Sequence, residues 1–156
     1  MAKDTIEIDK GFNKTLKSLK DFFSTDGIFI GIQSEQGQEK EDGDALNLAE
    51  IGAVHEFGSL DGTIPQRSFL RKTFDDGANE LTKSIVNAAL KMSDGSMSVD
   101  KALNQLGLKG VLMVKGAIRK GIAPALAQET IDRKGSTKQL IDTGRMINSI
   151  RHKVKG

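Results

Sequence analysis

Four stretches of the chain carry apolar residues three and four positions apart, and three short stretches alternate apolar with polar residues. The first spacing gathers side chains on one face of a helix, the second on one face of a strand. Ile6 and Ile8 alternate within residues 5–9 and predict a short half-buried strand. Phe12, Leu16, Leu19 and Phe23 predict an amphipathic helix, with Lys14, Lys17 and Lys20 on its other side and a turn at residues 24–27. Residues 27–33 form the best strand candidate, with Ile28, Ile30 and Ile32 on one face and Phe29 and Gly31 on the other. The acidic, glycine-bearing residues 34–44 read as a mobile loop.

Helical spacing returns at residues 45–57 through Leu46, Ala49, Ala53 and Phe57, and Gly58 stands where a helix C-terminus favours it. Ser68 is placed to cap the next helix, whose pattern runs through Leu70, Phe74, Ala78, Leu81, Ile85, Ala88 and Met92. Asp75-Asp76-Gly77 interrupts that pattern and predicts a bend, since an interior glycine costs about 1 kcal/mol. After a turn at residues 93–98, Val99, Leu103, Leu106, Met113, Ala117 and Ile118 mark a further long helix that Pro124 ends. Its Gly107, Gly110 and Gly116 either weaken it or let another backbone approach closely. Residues 126–139 read as an exposed polar loop, residues 143–150 as one helical turn, and residues 149–153 as a closing strand.

A length of 156 residues favours one domain spanning 1–156. With 37% hydrophobic residues but no Trp or Tyr, the core must rest on aliphatic side chains and seven Phe. Sparse aromatics also weaken a case for base-stacking platforms. The net charge of +2 gives no nucleic-acid signature. Its distribution is uneven: Glu35, Glu39, Glu41, Asp42 and Asp44 lie early, while Arg145, Arg151, His152, Lys153 and Lys155 crowd the end. Without cysteine there is no disulfide, thiolate site or cysteine nucleophile. No apolar leader and no run of roughly 20 apolar residues is present, so the expectation is a soluble protein made in a cytoplasm, with no membrane partner.

Candidate chemistry is thin. His55-Glu56 lacks the second histidine of a zinc helix, because Ser59 stands four residues on. Asp42-Gly43-Asp44 lacks the later ligands of a calcium loop, and Gly135-Ser136-Thr137-Lys138 lacks the phosphate-loop order. Two histidines leave little for acid–base catalysis. The expectation is a non-enzyme without catalytic, metal or cofactor-binding residues. Arg67 and Arg71 lie one helical turn apart after Pro65. They read either as an exposed helix face or as a docking pair for carboxylates on a neighbouring subunit. Near the end, Asp142 or Thr143 is placed to cap a short helix with Gly144 in its first turn, anchored by Leu140, Ile141, Met146, Ile147 and Ile150.

Two segments carry a resemblance. Ile51-Gly52-Ala53-Val54-His55-Glu56-Phe57-Gly58 leads into Ile64-Pro65-Gln66-Arg67-Ser68-Phe69-Leu70-Arg71. Leu140-Ile141-Asp142-Thr143-Gly144-Arg145-Met146-Ile147-Asn148-Ser149-Ile150 follows far downstream. In this order the segments resemble the tail-completion or neck proteins that join head to tail in long-tailed bacteriophages. Ser68 and Gln139 depart from that family's pattern, which places proline at both positions. The resemblance implies an α+β fold, long helices packed on a small, mainly antiparallel sheet. It implies a structural virion protein, a ring of sixfold symmetry touching the tail tube or its terminator on one face and the head connector on the other. DNA would only pass through the lumen. Expected contact residues are His55, Glu56, Phe57, Pro65, Arg67, Phe69, Arg71, Asp142, Thr143, Gly144 and Arg145. The alternative is a small nucleic-acid-binding module that uses the basic C-terminus.

Overall fold

The computed structural model describes residues 2–33, 38, 46–127, 130–132, 140 and 144–155, with residues 2–10 as backbone only. The order is α1 (Ala2–Phe23), β1 (Gly27–Ile32), α2 (Leu48–Phe57), α3 (Arg71–Ser93), α4 (Val99–Lys120), α5 (Arg145–Ser149) and β2 (Ile150–Lys155). β1 and β2 pair antiparallel from Gly27↔Lys155 to Ile32↔Ile150. The fold is α+β, with long helices on a two-stranded sheet. The acidic loop at 34–44 lies outside the described residues except for Gln38.

Residues 5–9 are helical, which corrects the strand expected there. Ile8 precedes Phe12 by four residues and so extends the same helical spacing, whereas two isoleucines make a very short alternation. Gly11 is accommodated inside α1, with open space where a side chain would stand.

α4 is the spine. Its Ala102, Leu103 and Leu106 join Phe22, Ala88 and Met92 in one buried cluster. Val111, Val114 and Ile118 join Leu48, Phe69, Met146, Ile147 and Ile150 in the other. Fully burying each large aliphatic or aromatic side chain contributes roughly 1.5–3 kcal/mol. Ser98 caps the start of α4, its Oγ accepting from the Lys101 N–H at 3.3 Å. Gly121, at φ +95°, ends the helix by donating to the Ala117 and Ile118 carbonyls. That glycine acts before Pro124, the residue expected to end it, is reached.

The glycines of α4 set how close the sheet lies. A Cβ on Gly107 would stand 2.3–3.0 Å from atoms of the His152 ring, and one on Gly110 would stand 2.2 Å from Ile30 Cδ1. Side chains of β1 and β2, not a backbone, fill these notches. A Cβ on Gly77 of α3 would run into the Met113 methyl of α4, the flexible end of a long side chain. α3 runs as one helix through the place where a bend was expected. No described helix is long and apolar enough to cross a membrane.

Gly116 has nothing within 4 Å of its Cβ position. Gly116→Ala is therefore expected to raise stability by about 0.5–1 kcal/mol through helix propensity. Gly107→Ala should lower it, because overpacking of about 1–3 kcal/mol exceeds the same gain. Urea denaturation of both variants checks this, and equal effects would show that the notch is not tight.

Candidate functional site: a doubly capped helix corner

α2 ends where α3 is about to begin, and each helix satisfies the other's open end. A helix terminus leaves amide donors or carbonyl acceptors without partners. Asn47 starts α2 with a capping box: its Oδ1 accepts from the Glu50 N–H at 3.0 Å, while Glu50 Oε2 accepts from the Asn47 N–H at 2.8 Å. At the other end the Gly58 N–H donates to the Val54 carbonyl at 2.8 Å. The chain then doubles back. The Arg67 N–H donates to the His55 carbonyl at 2.7 Å, and Gln66 Nε2 donates to the Glu56 carbonyl at 3.0 Å. Gly58 is needed for this return, since its φ is +85° and a Cβ would meet Gln66 N at 3.2 Å and Ile64 O at 3.3 Å.

In exchange, Glu56 caps α3. Its side chain is 5% exposed. Oε2 accepts from the Leu70 N–H at 2.8 Å, and Oε1 from the Arg71 N–H at 3.1 Å and the Ser68 hydroxyl at 2.5 Å. A carboxylate at a helix N-terminus also gains from the dipole there. Ser68, expected to be the cap, accepts only at 3.4 Å from the Lys72 N–H. α3 starts at Arg71, with no side-chain cap from its own N-cap residue Leu70. The carboxylate from α2 occupies the position a serine would otherwise take.

Arg67 departs from both sequence readings. It precedes α3 and is 4% exposed, so it shares no helix face with Arg71. Its Nε donates to the Pro124 carbonyl at 2.8 Å and its Nη2 to the Ala125 carbonyl at 3.2 Å. Burial lowers its pKa from the ordinary arginine value, and an arginine stays charged regardless. Two carbonyl dipoles thus meet the cation and tie the corner to the segment after α4. Phe69 is buried in the core beside Leu48. His55 is half-buried. Four of the expected contact residues therefore face inward or brace the corner.

The outward residues differ. Phe57 is 69% exposed, with the Arg71 guanidinium 5.9 Å above its ring. Pro65 is exposed. Leu60 is fully exposed at the tip of the turn and Ile64 is partly exposed beside it. Neither was singled out by periodicity; the available signal was an apolar residue inside a polar turn. Hydrogen bonds hold this turn: Asp61 Oδ1 accepts from the Ser59 hydroxyl at 2.5 Å, the Thr63 hydroxyl at 2.8 Å and the Thr63 N–H at 3.1 Å. The Ile64 N–H closes it by donating to Ser59 Oγ at 2.8 Å. These bonds, the Ser59 hydroxyl first, hold the Asp61 carboxyl below its ordinary range.

α5 packs against α2, so the second motif stands beside the first. Met146 and Ile147 are buried, whereas Gly144, at φ +81°, and Arg145 are half-buried at the start of α5. Asp142 and Thr143 lie outside the described residues. Among the described residues no group of three His, Cys, Asp or Glu is placed to hold a metal ion.

Glu56→Ala should cost about 2–4 kcal/mol in chemical denaturation, since it strands two first-turn amides around a buried cavity. A loss under about 0.5 kcal/mol would remove Glu56 from the centre of the corner. Because the folded-state pKa of Asp61 is depressed, its support of the turn is present above the ordinary aspartate value and lost as pH falls through the lower folded value. The Thr63 amide resonance should accordingly hold steady from neutral pH down to the ordinary aspartate range and move only below it. A midpoint at or above the ordinary value would contradict the bonding described. No protein-family model, curated protein sequence or solved structure matches the chain.

Proposed function

We propose that this chain is a structural protein of the bacteriophage head–tail junction, a tail-completion or neck protein that acts by assembly and catalyses no reaction. The observation that carries the reading is the corner. Its buried Glu56 and Arg67 are hydrogen-bonded within the fold, and it holds Phe57, Leu60 and Ile64 outward with Arg71 beside them. Exposed apolar side chains on a turn fixed by its own hydrogen bonds fit a contact surface, because little ordering entropy remains to be lost on docking. The two motif segments that carry the family resemblance also pack side by side, α5 against α2.

In this reading copies close into a hexameric ring through heterologous contacts. One face meets the tail tube or its terminator, the other the head connector, and DNA passes through the lumen. Phe57, Leu60, Ile64, Pro65 and Arg71 make the contacts. His55, Glu56, Arg67 and Phe69 position them from beneath.

Replacing Phe57 and Leu60 together by Ser and Asp should leave folding intact, since both side chains are exposed. A phage carrying only this variant should accumulate filled heads and separate tails by electron microscopy. Normal virions in normal yield would sink the proposal.

A further inference from the structure

We propose that the outer face of the β1–β2 ribbon binds single-stranded nucleic acid, with phosphates on Arg151, Lys153 and Lys155 and a base stacked on Phe29. The inference does not rest on the head–tail reading. It starts from register. Ile28, Ile30 and Ile32 of β1 lie opposite Val154, His152 and Ile150, and this side faces the helices. The other side therefore pairs Gly27, Phe29 and Gly31 with Lys155, Lys153 and Arg151. All three cations are exposed, and they follow one another about 6.8 Å apart along the strand.

Phe29 is 51% exposed, a large apolar surface to leave in water. It lies directly across from Lys153 and diagonal to Arg151 and Lys155. A side chain at Gly27 would meet nothing within 4 Å, whereas a Cβ at Gly31 would stand 3.9 Å from Leu70 Cδ1. A half-exposed aromatic ring among cations suits a strand whose bases are free to stack and whose phosphates run alongside. A duplex keeps its base faces covered and would use the cations alone.

Two cations of α4, Lys115 and Arg119, carry charge near Arg151. The Lys115 ammonium is held below its ordinary value by burial and then by the nearby charges of Arg151 and Arg119. Among the described residues Asp26 is paired at this face, its Oδ2 3.8 Å from Lys155 Nζ, with both side chains mostly exposed. Such a pair is weak and gives way to a phosphate.

The test is fluorescence anisotropy of the full chain with a labelled oligothymidine of about 30 nucleotides and with a duplex of equal length. The single strand should bind more tightly than the duplex. Raising salt from 50 to 200 mM should weaken it about 20-fold if three phosphates are contacted. Phe29→Val should weaken single-strand binding about fivefold or more and leave duplex binding unchanged, while Phe29→Tyr should preserve it. Arg151→Glu with Lys153→Glu should abolish binding, whereas Lys83→Glu on the exposed side of α3 should not change it. Thermal unfolding of each variant verifies that it is folded. No binding at 50 mM salt, tighter binding of the duplex, an inert Phe29→Val or an equal loss from Lys83→Glu would each overturn the proposal.

Discussion

The carboxylate of Glu56 is the constraint on which the rest depends. It is buried, and a buried carboxylate is costly unless its oxygens are occupied. Three donors occupy them, two of which are the amides of Leu70 and Arg71, the N-cap and first residue of α3. The returning chain occupies the last carbonyls of α2 in the same way. Neither helix end is complete alone. The angle between α2 and α3 follows from this exchange, and so does the position of the turn between them. Arg67 adds a third anchor by reaching the carbonyls of Pro124 and Ala125, so the corner is fixed to the end of α4 as well.

From the corner the constraint passes to the sheet. A two-stranded ribbon is marginal by itself in water. Here one face lies on α4, with His152 and Ile30 seated over Gly107 and Gly110. β2 follows directly from α5, which packs on α2. The corner and the ribbon are therefore parts of one packed unit with different outer surfaces. The corner presents Phe57 and Leu60, and the ribbon presents Phe29 among cations. Apolar contact suits a protein neighbour, and a ring among cations suits a polyanion.

Much of the fold was legible from spacing. The long helices from Arg71 to Ser93 and from Val99 to Lys120 follow their apolar periodicity, and so does the strand at Gly27–Ile32. The glycine after Phe57 marks the end of α2 because a positive φ is needed there, and few residue types tolerate it. The N-terminal strand reading failed because an alternation of two residues is also part of a helical pattern. Pro124 lies past the end of α4, because Gly121 stops the helix first.

By itself the sequence determined the long helices and the two paired strands, though not the helical start of α1, that aliphatic residues and phenylalanine build the core, and that the two motif segments are the distinctive ones. Local spacing encodes these things, because backbone geometry repeats every few residues. Only the tertiary structure decided that Glu56, not Ser68, caps α3, that Arg67 is buried while Arg71 is exposed, and that Phe29 stands beside Lys153. Each of those depends on residues far apart in the chain, on which carbonyls lie within reach of a guanidinium, and on which strand pairs with which. No periodicity records such distances.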